Sequence, residues 1–395
     1  MDQQAIENFR EYLRIPSVHP DINYEPCVVF LQKQAKSLGL PCAVHYCHPK
    51  NPIVIISWIG KEPTAPSILL NSHMDVVPVF EDKWKYKPFD AHIDEHGNIY
   101  ARGSQDMKCV GIQYLEAVRR FKAENVVLKR TLHISFVPDE EVGGILGMQD
   151  FVKTDQFRNL NVGFALDEGI ASVGDVMRVF YGERTIWQFK LHCPGQTGHG
   201  ALLLDNTAGE KVRYLMDKFS DFRAGEKKRL ESDPKLTIGD VTTVNVTMLR
   251  GGVQPNVIPE EFVVGIDSRI AVTTNLNEWE SMINRWCKEA GKDIWVEYIR
   301  KNPCIPVTKI DDTNNAYWNA FQAAFEDLGL KMKTEIFPAG TDSRFLRELG
   351  IPAIGFSPIN NTPILLHDHD EFLNSAMFLR GIEIYCKLLT KVANV

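Results

Sequence analysis

The chain has 395 residues, 44% of them hydrophobic and 24% charged, and a net charge of −7. That length and apolar content allow two or three domains, each with its own core. The acidic balance, with a pI near 5.9 and no Lys/Arg stripe, argues against a nucleic-acid partner, and eight cysteines are too few for a disulfide framework and read as reduced thiols.

The opening MDQQAIENFREYLRI is polar and acidic, without the basic-then-apolar order of a secretory leader. The longest apolar run, PIVIISWIG, is too short to span a bilayer. A cytoplasmic protein away from membranes is expected. Residues 1–40 read as two helices, with Ile6, Phe9 and Leu13 spaced for the first and Val28, Leu31, Ala35 and Leu38 for the second. CAVHYCHP has strand character, and its Cys42, His45, Cys47 and His48 lack the matching ligand pair of a zinc site. The runs IVIISWIG, SILLNSH, TLHISFVP and VGFALDE read as short strands, and DMKCVGIQYLEAVRRFKAE between the second and third carries a helical stripe. Such alternation predicts an α/β fold with a mostly parallel sheet covered by helices, with its site at the carboxyl ends of the strands.

From about residue 185 the pattern changes. TIWQFKLHC, a helix over roughly 206–230, TTVNVTML, EFVVGIDSRI, the amphipathic NLNEWESMINRWCKEAG and DIWVEYIR give the order β-α-β-β-α-β of a ferredoxin-like α+β domain. After Pro306 the α/β pattern resumes. The expected organisation is a discontinuous catalytic domain, 1–184 and 307–395, with a second domain inserted over 185–306.

Five motifs carry chemistry. SILLNSHMD ends a strand on His73 and, two residues later, Asp75. Residues i and i+2 of a strand share a face, so a carboxylate stands beside an imidazole, which fixes ring orientation and tautomer for a metal ligand or a base. ARGSQDMK places Asp106 just ahead of a helix, where an N-cap is the alternative role. SFVPDEEVGG closes on Glu140 and Glu141, VGFALDEG on Asp167 and Glu168, and LLHDHDE brings in His367 and His369. Carboxylates gathered at one sheet edge repel one another, and divalent cations remove that cost. Histidine with carboxylate, and no cysteine pattern, suits zinc or a similar metal. Three carboxylates and two histidines exceed one tetrahedral site, whereas two metals sharing one carboxylate use them all. One of the Glu140–Glu141 pair is then left as a base, and the pattern describes metal-assisted hydrolysis. Which of the two is the base stays open on these grounds. A non-catalytic protein on the same fold would lack a ligand or the base, and none is missing.

The stretches LLNSHMDVVPVF, IYARGSQDMKCVGIQYLEAVRR, FVPDEEVGG and TPILLHDHDE, in this order, resemble the dinuclear-zinc aminoacylase and carboxypeptidase family over essentially the whole chain. The resemblance implies two Zn2+ per subunit, with His73, Asp106 and Glu168 on one and Asp106, Glu141 and His367 on the other. It implies Glu140 as the general base and Asp75 as the residue orienting His73, and leaves His369 a supporting role. It implies a homodimer formed through the inserted domain, in which His199 of GQTGHGAL stabilises the oxyanion of the partner's site. The chain departs from the family there, with Gly200-Ala201-Leu202 where a small polar residue is usual. Asn256 of GGVQPNVIP would contact substrate, and Arg344 of AGTDSR would clamp its carboxylate. Arg269 is a further substrate-binding candidate, with an interdomain salt bridge as its alternative. The implied reaction is hydrolysis of N-acyl-L-amino acids, a small-molecule substrate. A dipeptidase or carboxypeptidase on the same scaffold is the alternative.

Overall fold

The computed structural model describes residues 1–311 and 313–395. In chain order come α1 (Asp2–Leu13), α2 (Glu25–Leu38), β1 (Cys42–His48), β2 (Asn51–Trp58), β3 (Ser67–His73), β4 (His92–Ile93), β5 (Asn98–Tyr100), α3 (Lys108–Ala123), β6 (Leu132–Val137), α4 (Asp155–Arg158), β7 (Val162–Asp167) and β8 (Met177–Glu183). The middle of the chain carries β9 (Thr185–Pro194), β10 (Gly198–His199), α5 (Ala208–Ser232), β11 (Thr243–Gly251), β12 (Val257–Ile258), β13 (Glu261–Ile270), α6 (Leu276–Ala290) and β14 (Trp295–Lys301). Last are α7 (Ala316–Asp327), β15 (Met332–Phe337), α8 (Ser343–Glu348), β16 (Ala353–Gly355), β17 (Phe372–Asn374) and α9 (Ser375–Val392). Two compact units result: Met1–Tyr181 with Pro306–Thr334 and Thr341–Val395, and Gly182–Ile305 with Glu335–Gly340.

The first unit is built on a sheet of strand order β1-β2-β6-β3-β7-β16-β8-β15. Its centre, β6-β3-β7-β16, is parallel. The flank β1-β2-β6 is antiparallel, because β1 and β2 form a hairpin in which His48 pairs with Asn51. Every residue of β3 and β6 is buried, as in a sheet covered on both faces, and polar members such as Ser135 and Asn71 bond to each other across the two strands. Helix α3 lies against them where Gly111 allows it: a Cβ there would meet Phe136 Cε1 and Ser72 Oγ at 2.7 Å. Phe9 of α1 stacks on Phe378 of α9 at 4.4 Å, closing the core outside α3.

The second unit is an antiparallel sheet of order β11-β13-β9-β14. With α5 and α6 it has the ferredoxin-like β-α-β-β-α-β arrangement. Trp279, Ile283, Trp286 and Cys287 form the buried face of α6 and share a core with Phe189, Leu191 and Phe219. Asn275 starts α6 by accepting the amides of Asn277 and Glu278, and Thr207 with Glu210 forms a capping box on α5. Residues 335–340, which the sequence pattern left with the returning α/β portion, pack in this unit. The Arg184 guanidinium donates twice to the Pro338 carbonyl, and the Ile336 carbonyl fills the space beside Gly239.

Candidate active site

Strand order brings the motif residues together. In the run β6-β3-β7 the carboxyl ends lie side by side, with His73 paired to Val137 in register. β3 ends at His73, β6 runs into the turn carrying Glu140 and Glu141, and β7 runs into Glu168. Asp106 precedes α3, but the capping position belongs to Met107 and no side chain caps that helix. Its carboxylate is therefore turned to another task. His367 arrives from the loop between β16 and β17, with φ of 62°.

Two ligand triads form, His73–Asp106–Glu168 and Asp106–Glu141–His367, each with donor atoms within 4.8 Å of one another. Asp106 gives one oxygen to each. Its Oδ1 lies 3.1 Å from His73 Nε2 and its Oδ2 lies 3.2 Å from His367 Nε2. Glu168 Oε2 is 3.7 Å from His73 Nε2, and Glu141 Oε2 is 3.1 Å from His367 Nε2. Ligand atoms on one tetrahedral zinc stand about 3.3 Å apart, given bond lengths near 2.0–2.1 Å, so the spacing fits a shared-carboxylate pair. Two further observations agree. His73 Nδ1 donates to the Asp75 main-chain carbonyl at 2.8 Å, so Nε2 is left facing two carboxylates, where it needs either a proton or a metal ion. Glu141 Oε1 is buried and has no hydrogen-bond partner among the described residues.

The electrostatics show the same crowding. Burial, then the Asp106 charge, pushes Glu141 up to about 7. Burial, then the neighbouring Asp106, raises Glu168 well above the carboxylate range. Hydrogen bonds to Asp106 and Glu141 raise His367 to about 10. Burial would lower His73, but its bonds to Asp106 and Glu168 outweigh that and raise it. Glu140 is pushed well up by burial and then by Glu168, with His73, Asp342 and Glu141 also in electrostatic reach. The same crowding places Glu140 beside the triads, where a proton acceptor for a water held there would stand.

Asp75 is placed differently from the sequence expectation. The strand has ended, and its carboxylate is 3.7 Å from His73 Nδ1. It instead accepts the amides of Glu140 and Glu141, at 3.3 and 3.0 Å, and His19 Nε2 at 2.8 Å. Asp75 thus touches His73 through its carbonyl and the Glu140–Glu141 turn through its side chain. Arg344 is 4% exposed. It donates to the Gly143 carbonyl at 2.7 Å, tying its loop to the same turn. His369 packs edge-on to Phe80.

The remaining candidates lie in the second unit. His199 pairs with Val257 across β10 and β12, and the Gly200 amide donates to the Asn256 carbonyl, so His199 and Asn256 are neighbours. The Ala201 amide donates to His199 Nδ1 at 3.1 Å. The neutral ring therefore keeps its proton on Nε2. Arg269 is engaged with Asp267 of its own unit at 2.8 and 3.3 Å.

Three residues escaped the sequence reading. Glu371 is fully buried and accepts the amides of Gly103, Gln105 and Asp106 as well as Arg102 Nη1 at 2.9 Å. It holds the Asp106 loop, and its place in LLHDHDE was the available signal. Asp342 lies buried beside Gly144, with neither oxygen hydrogen-bonded among the described residues, and burial pushes it up. His19 belongs to no motif.

An α/β unit with a parallel centre, presenting two triads that share a carboxylate beside a further glutamate, Glu140, defines a metal-dependent hydrolase. The chain belongs to the peptidase family M20/M25/M40, whose sequence model matches residues 69–391. Within that family it is 47% identical to aminoacylase-1 of Sus scrofa over 394 residues, covering 100% of this chain and 96% of the relative. In structure it is similar to a tripeptidase from Staphylococcus aureus (TM-score 0.76, 19% identity, 100% of this chain and 99% of the other). It is also similar to a dinuclear metal binding peptidase of Bacillus subtilis (TM-score 0.68, 16% identity, 98% of each).

Proposed function

We propose that the chain is a two-zinc amidohydrolase that cleaves N-acyl-L-amino acids into a carboxylic acid and the free amino acid. The observation that carries this is the single Asp106 carboxylate spanning two triads with Glu140 beside them. The substrate class is supported by the full-length likeness to aminoacylase-1. His73, Asp106 and Glu168 would hold one zinc and Asp106, Glu141 and His367 the other. Bound there, the metals supply Lewis acidity toward water and the acyl carbonyl.

Glu140 takes a proton from the attacking water as the water oxygen bonds to the acyl carbon. His199, with its proton on Nε2, donates to the carbonyl oxygen as that oxygen gains charge. Glu140 returns the proton to the amide nitrogen, the carbon–nitrogen bond breaks, and the amine leaves. Arg344 and Asn256 bind the substrate, and Asp75 fixes the turn on which Glu140 rides. Arg269 is already paired with Asp267 within its unit, which favours a structural role for it over substrate binding.

The active form is a homodimer, in which the inserted domain over 185–306 brings His199 to the partner's site, between the two catalytic segments 1–184 and 307–395. Support comes from Leu202, Leu203 and Val253, exposed on the loops flanking the β10–β12 pair. The enzyme works in the cytoplasm. Among the described residues no helix is long and apolar enough to cross a membrane.

The test is methionine release from N-acetyl-L-methionine by the zinc-loaded protein, beside a methionine-containing dipeptide with a free amine. The N-acyl compound should be the better substrate, and Glu140→Gln should lower its kcat by about 10²–10⁴-fold. Preference for the dipeptide, or full activity of the variant, would contradict the reading.

A further inference from the structure

His19 sits in the loop between α1 and α2, far in sequence from every motif above, yet its backbone is laced onto the turn that follows β3. Ser17 Oγ donates to the Met74 carbonyl at 2.6 Å, the Val76 amide donates to the Ser17 carbonyl at 2.8 Å, and the His19 amide donates to the Val76 carbonyl at 3.2 Å. Val18 and Val76 form an isolated parallel bridge. This clamp delivers the His19 imidazole to Asp75, with Nε2 2.8 Å from Oδ2. Asp75 is fully buried, while the His19 side chain keeps 16% of its surface exposed.

Asp75 Oδ2 is shared between His19 Nε2 and the Glu141 amide, and Oδ1 takes the Glu140 amide. The next amide upstream, that of Asp139, donates to Tyr24 Oη at 3.2 Å. Three successive amides of the turn are thus held from outside it, two of them by one carboxylate. A carboxylate with only two amide donors can rotate between them. A third donor on one oxygen fixes its plane and, with it, the direction in which the two glutamates leave the turn.

We propose that His19 is a positioning residue for hydrolysis, acting through the Asp75 carboxylate to fix the Glu140–Glu141 turn. This rests on Glu140 as base and Glu141 as ligand, as proposed above. It also accounts for the Ser17–His19 clamp, whose effect is to seat a donor on Asp75.

Two variants of the zinc-loaded full chain test it with N-acetyl-L-methionine. His19→Ala removes the donor, and kcat should fall about tenfold, the lower end for the loss of an outer support of a metal site, with KM unchanged. His19→Gln places an amide N–H near the same oxygen and should recover most of the rate. His19→Gln, which keeps a donor, should melt close to the wild type, while His19→Ala leaves the buried Asp75 carboxylate short of a donor and melts lower, so the rates are compared well below both melting temperatures. A second readout needs no substrate. The visible absorption of the Co2+-loaded protein reports the ligand field to which Glu141 contributes; His19→Ala should alter it and His19→Gln should overlay the wild type. Wild-type protein that releases no methionine would contradict the substrate reading alone, and the cobalt spectra would then decide. Unchanged kcat and spectrum in His19→Ala, or equal impairment in His19→Gln, would overturn the proposal.

Discussion

At the scale of single residues, the site depends on which atom of each group is already committed. His73 spends Nδ1 on a main-chain carbonyl, and so its free nitrogen faces carboxylates. His199 accepts an amide at Nδ1, so its free nitrogen is a donor. The residue types were legible in the motifs, but these commitments were not, because they depend on where the backbone turns after the strand. Asp75 shows the difference: a continuing strand would set its carboxylate beside His73, and the observed turn sends it to the Glu140 and Glu141 amides. A histidine outside the site illustrates the same point for stability. His133 on β6 is bonded to Ser57 Oγ, and burial lowers it to about 4. Unfolded, it takes a proton below about pH 6.5, while folded it stays neutral until about 4. The unfolded state therefore binds more protons in that window, and stability falls as pH drops through it, with a limiting slope of about 1.4 kcal/mol per pH unit. Urea unfolding between pH 7 and 4.5 should show a shallower loss for His133→Gln than for the wild type. Parallel curves would contradict this.

At the scale of elements, convergence was readable. Short apolar strands alternating with helices imply parallel neighbours, and parallel neighbours align their carboxyl ends. His73, Glu140, Glu141 and Glu168 gather for that reason. The strands of the flank were read without their antiparallel direction, and β8, the three-stranded β17-β5-β4 sheet and β15 were not legible at all. They are short or form against partners distant in sequence, so no local period marks them. Glu371 shows how such long-range ties act. It joins the segment around β17 to the Asp106 loop, and Gln105 adds side-chain bonds to the Pro363 and Phe372 carbonyls. The loops supplying Asp106 and His367 are thereby fastened together. Glu371→Gln should lower zinc affinity by about 10–100-fold in chelator competition, more than any change in apo-protein melting explains. Wild-type affinity in that variant would show that the tie serves the fold alone.

At the scale of the whole molecule, the change of pattern near residue 185 marked the second unit, because hydrophobic alternation on TIWQFKLHC and the amphipathic 276–290 helix are local signals. The 335–340 segment was not assignable in this way, since it joins that unit through carbonyls rather than through an apolar stripe. What unifies the molecule chemically is the sharing of Asp106 between triads. Removal of metal should abolish hydrolysis, and the most direct measurement is zinc titration of the chelator-stripped protein, following methionine release from N-acetyl-L-methionine. The structure predicts no activity at zero zinc, a rise that breaks at two equivalents per chain, and a single break at one equivalent or less, with little activity, in Glu141→Ala. Full wild-type activity without metal, or saturation at one equivalent, would contradict the shared-carboxylate account.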